Sequence, residues 1–77
     1  MLKIKEGIPL GELKKYGFIP KYNEGTREIE RYVYKIESID TVAIMVEFTG
    51  EITIRETYTI VLELLYDLIQ AGIVVKE

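Results

Sequence analysis

The 77 residues include no histidine, no cysteine and no tryptophan, and only two prolines. Without histidine or cysteine, the serine–histidine and cysteine–histidine routes to an activated nucleophile are closed. A structural zinc site would have to be built from carboxylates alone, against the usual preference for nitrogen and sulfur ligands. Neither a disulfide nor a thiolate can staple the core. Gly7, Gly11 and Gly17 are too scattered to make a phosphate-cradling loop. Positive charge is also short: 10 basic residues stand against 13 acidic ones, for a formal charge of −3. That balance disfavours nucleic acid and anionic lipid, which are held largely by neutralising phosphates.

Long apolar runs are missing as well. The stretch from Met1 to Gly17 has no continuous apolar region of the signal-peptide kind. The apolar segment near the C-terminus is short and carries Glu63 and Asp67, so no membrane span is expected and a cytoplasmic setting is the default. What remains is a chain of soluble balance, 48% apolar and 30% charged, read as one domain over residues 1–77. A domain this small hides only about 60% of the surface its unfolded chain exposes. Association with another chain is then the remaining route to added stability.

Leu2 to Lys5 alternates briefly, as a short strand or tucked-in arm would. Pro9 fits the first position of a helix over Leu10–Tyr16, and Gly17 fits the left-handed residue that ends it. Gly11 weakens that helix. Lys21–Glu28 reads as a loop, with Asn23 and Gly25 supplying turn chemistry. It is either a contact loop or a plain connection.

From Ile29 the period changes to two, giving strands at Ile29–Ile36, Thr41–Phe48 and Glu51–Glu56. Tyr32, Tyr34 and Ile36 share a face with Val42, Ile44, Val46, Phe48, Ile52 and Ile54. Arg31, Val33, Lys35, Ala43, Met45, Thr53 and Arg55 take the other. The short links Ser38–Asp40 and Thr49–Gly50 make both connections hairpins. A helix over Thr59–Ala71 supplies the cover, with Ile60, Val61, Leu64, Leu65, Leu68 and Ile69 as its apolar stripe. Thr59 is the expected N-cap and Gly72 the C′ residue. The expected fold class is therefore α+β, in the order α-β-β-β-α: a short N-terminal helix, a three-stranded antiparallel meander, and a C-terminal amphipathic helix on one sheet face.

Few residues offer chemistry. Glu63 and Asp67, at i and i+4, place two carboxylates side by side, but a hard cation needs about six or more oxygens and none converge. Glu24, Glu28 and Glu30 lack the spacing of a calcium loop. Tyr32 and Tyr34 suit core packing better than an open base-stacking platform. No catalytic residue, metal ligand or cofactor is implied.

The element order resembles that of double-stranded RNA-binding domains. Those domains bring lysines to the start of the second helix, where they meet phosphates. Here Tyr58–Glu63 brings none, and the family's histidine-bearing loop is absent. A nucleic-acid role would have to come from Lys3, Lys5, Lys14, Lys15 and Lys21 acting as a local stripe.

Two surfaces are candidates for protein contact. One is the outer sheet face with Val33, Ala43 and Met45, whose plain alternative is an ordinary solvated face. The other joins Leu62 and Tyr66 on the helix flank to Ile73–Val75, with Ile73 and Val75 as contact residues. The expected partner is a second copy, as an isologous homodimer, or an unidentified protein.

The pattern LKxKEGxxLxELKKYGF at Leu2–Phe18, with LxxLxDLIQAGIVxK within Val61–Lys76, resembles short uncharacterised proteins encoded by phages and prophages of low-GC Gram-positive bacteria. The resemblance covers the two chain ends. It implies a bacterial cytoplasm and a phage accessory or regulatory role, and it carries over no catalytic residue. The function expected from the sequence is thus non-enzymatic, through protein–protein contact. The alternatives are a nucleic-acid module of the double-stranded RNA type and, last, a carboxylate metal binder or enzyme.

Overall fold

Three residues at each end of the chain pair with one another. The computed structural model describes residues 1–77, and in it β1 (Leu2–Ile4) runs antiparallel to β6 (Val74–Lys76). Between them lie β2 (Ile19–Tyr22), β3 (Ile29–Ile36), β4 (Thr41–Glu47), β5 (Ile52–Ile54) and the single α-helix, α1 (Thr59–Gln70). Strands β2-β3-β4-β5 form one antiparallel sheet in that order, and β1-β6 a second. The Ile4 amide donates to the Gly50 carbonyl at 2.9 Å, and an antiparallel bridge joins Lys3 to Glu51. The two sheets therefore meet along β1 and β5. Since β5 and β6 each run antiparallel to β1, they are parallel to each other. A parallel pair needs a crossover, and α1 provides it.

This corrects the α-β-β-β-α expectation. The chain is mostly β, with six strands, one α-helix and a 3₁₀ segment where the first helix was expected. Leu10–Tyr16 winds as 3₁₀ because it is only seven residues long, contains Gly11 and has no side-chain cap; Pro9 is its extended N-cap rather than its first residue. Its core contribution is Leu13, which is fully buried. The loop expected at Lys21–Glu28 begins later, since Lys21 and Tyr22 already belong to β2. Pro20 is tolerated there because β2 is an edge strand, where a missing amide costs no ladder bond.

Two bulges set the core. Tyr34 pairs with Ile44 but Lys35 with Val42, so Ala43 is an extra residue in β4. The main chain uses it: the Ala43 carbonyl accepts the Arg55 amide at 2.7 Å and the Glu56 amide at 3.3 Å. A bulge breaks the period of two, and Ala43 and Ile44 are consecutive core residues as a result. The expected faces change accordingly. Ala43 moves from the outer face to the core, and Val42, paired with outward Lys35, leaves it. A second bulge between β2 and β3 places Lys21 opposite Arg31 but Tyr22 opposite Ile29, and Ile29 packs against the core.

One apolar cluster results, joining Ile4, Leu13, Phe18, Tyr32, Ala43, Ile44 and Val46 to Val61, Leu65, Leu68, Ile73 and Val74. Phe48, expected on this face, lies beyond the end of β4 and is 70% exposed. No helix is long and apolar enough to cross a membrane.

Candidate contact surface

The apolar stripe of α1 is wider than the sheet beneath it. Val61, Leu65 and Leu68, one turn apart, are buried, and Leu64 is partly so. Leu62, Tyr66 and Ile69 repeat the same i, i+4, i+7 spacing one residue along, which rotates them about 100° around the helix. They are 51%, 62% and 45% exposed. Ile60, also expected in the buried stripe, is exposed on the opposite flank. The width of the apolar arc, visible in the sequence once Leu62 is added to the stripe, is the reason: from Ile60 round to Tyr66 it exceeds what one small sheet can face. With Thr59, Glu63 and Asp67, Leu62 and Tyr66 form a shallow, open patch on the outer side of this one helix.

The charges on this helix run against its own stability. Glu63 and Asp67 are exposed, and neither is in an ion pair. Like charges at i,i+4 repel. Asp67 also sits in the last turn, where the helix dipole disfavours an anion. No basic residue accompanies it there, and no acid occupies the first turn. The N-cap is Tyr58, not the expected Thr59, and it makes no side-chain cap bond. Beyond Ala71, Gly72 takes φ +75° as the C′ residue, and its amide donates to the Ile69 carbonyl at 3.0 Å.

The other expected contact residues are scattered. Val33 does face away from the cluster, in a row with Ile19, Met45 and Thr53, but it is only 4% exposed. Met45 is half-buried beside it, and the Arg55 guanidinium donates to its sulfur at 3.9 Å. Arg31 lies opposite Glu47 in the same layer, with Nε 3.5 Å from the carboxylate. Ala43 and Ile73 belong to the core and present no contact surface. Val75 is half-buried in β6.

Of the lysines considered as a stripe, Lys3 pairs with Glu77 at 3.4 Å and Lys15 with Glu12 at 2.9 Å. That second pair raises the Lys15 pKa, first through the hydrogen bond from Lys15 to the Glu12 carboxylate. Lys3 and Lys5 share a groove of about 290 Å³ with Phe48 and Gly50. No group of three or more acidic side chains is placed to hold a metal ion.

No family model, curated protein or solved structure matches the chain.

Proposed function

We propose that this is a non-enzymatic protein that works by contact with another protein, through the α1 flank bearing Leu62, Tyr66 and Ile69. One observation carries this: a single helix buries one apolar file and exposes a second, parallel file at the same spacing. Scattered exposed apolar residues need no explanation, whereas a contiguous file along one helix flank is what a partner surface requires. The lack of histidine and cysteine supports the non-enzymatic half. The setting is a bacterial cytoplasm, in a phage or prophage programme, as the resemblance of the chain ends implies. A second copy of the chain and an unrelated protein are both occupants of the kind this function needs.

Photo-crosslinking in expressing cells tests it. A benzophenone residue replacing Tyr66 should give a discrete protein adduct, and the same residue replacing Glu24 should not. Identical adduct patterns from the two positions would end the contact function at this flank.

A further inference from the structure

The α1 flank has an apolar centre, a rim of one charge sign and no internal counter-charge. On the footing of the contact function above, we propose that its occupant is a basic amphipathic helix of another protein, with apolar residues at i, i+3/i+4 and i+7 and lysine or arginine beside them.

Charge complementarity selects this occupant over a second copy. Glu63 and Asp67 border the same open patch as Leu62 and Tyr66. Pairing α1 with its own copy across that patch would bring four carboxylates to one seam. The helix carries no lysine or arginine to neutralise them, and like charges facing each other suppress a pairing. A basic helix would bury the same apolar file and relieve the repulsion.

The position of the two acids points the same way. They stand at a like-charge spacing, one of them in the last helical turn, and neither has a partner within the chain. A cation seated beside them would relieve that repulsion. Size agrees too. Three half-exposed side chains offer a few hundred Å², well below the roughly 800 Å² per partner of a standard stable interface. A single helix packed along α1, read by a few anchors, suits that scale.

The test uses the whole chain and three 14-residue synthetic peptides: a leucine–lysine amphipathic helix, a leucine–glutamate peptide with the same apolar face, and a leucine–lysine scramble without one. Fluorescence anisotropy at low salt should show the first binding at least about tenfold tighter than either control. Raising the salt should weaken it. E63Q/D67N should reduce its binding about fivefold or more, while E24Q/E28Q, an equal charge change elsewhere, should alter it less than about twofold. L62S/Y66S should abolish it, with circular dichroism confirming the fold of each variant.

Equal binding of the amphipathic and scrambled lysine peptides would overturn the proposal, as would equal effects of the two charge-neutralising pairs. Solution mass separates the two ways of failing. A dimer that L62S/Y66S converts to a monomer keeps the contact function and makes the occupant a second copy. A monomer that binds no peptide removes both.

Discussion

The Ile73 amide donates to the Leu68 carbonyl at 3.0 Å, and both side chains lie in the core. Phe18 and Leu13 stand in the same relation, at 3.2 Å, where the 3₁₀ segment ends. In each case the glycine between them, Gly72 or Gly17, has a positive φ and donates to a carbonyl three residues back. The chain writes both ends alike: acid, leucine, three residues, glycine, apolar residue, as Glu12–Phe18 and Asp67–Ile73. The glycine reverses the backbone, and the apolar residue after it returns to the leucine that began the turn.

Alanine at either glycine should therefore be unfavourable for reasons of backbone alone. A Cβ on Gly72 meets nothing within 4 Å, and on Gly17 only the Tyr34 ring at ordinary contact distance. Gly72→Ala and Gly17→Ala should each cost about 1–2 kcal/mol, the penalty of a left-handed alanine. Gly11 has negative φ and open space around it, so Gly11→Ala should gain about 0.4–1 kcal/mol by restricting the unfolded chain. Urea midpoints of the three variants should split in sign. Three shifts in one direction would show that the backbone assignment is wrong.

The two files of α1 predict unequal losses. Leu65 is 6% exposed within the core cluster, and Leu65→Ala should lose about 2–5 kcal/mol. Leu62 is half-exposed, and Leu62→Ala should stay within about 0.5 kcal/mol of the parent. Urea unfolding of the isolated protein measures both. Comparable losses would mean that the helix is rotated from this placement.

How far the sequence could be read shows at these same residues. Gly17 and Gly72 were legible as helix ends because a left-handed position selects for glycine by a local rule. Val61, Leu65 and Leu68 were legible because helical spacing reports a buried face. What failed was whatever depends on pairing between distant segments. The brief alternation of Leu2–Lys5 hinted at β1, but its pairing with β6, three residues at the far end of the chain, left no mark in either segment. Ile19–Tyr22 contains proline, a mark against a strand, and only its edge position excuses it. The bulge at Ala43 is invisible to strict alternation. On α1, Leu62 and Tyr66 were legible as a flank beside the buried stripe; that Ile60 and Ile69 are bare as well depends on the extent of the sheet, which no residue of the helix records.

Ala43 gives a test of that bulge. By simple alternation it would point outward, where valine should be neutral or helpful for its strand preference. In the structure Ala43 has no exposed surface and lies in the core cluster. Ala43→Val adds two methyl groups to a filled site and should cost about 1–3 kcal/mol. A thermal midpoint equal to or above the parent's would place Ala43 back on the outer face.

The acid limb of the stability curve should carry the mark of one surface pair. The Lys35 ammonium pairs with the carboxylate of Asp40, which holds a left-handed φ of 50° after the short 3₁₀ turn at Glu37–Ile39. The hydrogen bond from Lys35, and then its charge, lower the Asp40 pKa; the same bond raises that of Lys35. With the folded aspartate depressed, its contribution is present above the unfolded pKa and fades as pH falls through the folded one. The lysine's contribution is full below its unfolded pKa and fades as pH rises through the raised folded value. The pair is thus intact across neutral pH and is lost at either extreme. Asp40→Asn keeps a residue that tolerates the left-handed backbone but removes the charge, so it should flatten part of the acid-side decline. The effect should be small, since the pair is exposed, and should shrink further in high salt. Carboxyl carbon NMR of the native protein checks the cause directly. Asp40 should titrate below the ordinary aspartate range, and Lys35→Met should return it there; an Asp40 midpoint unmoved by Lys35→Met would show that the pair does not form in solution.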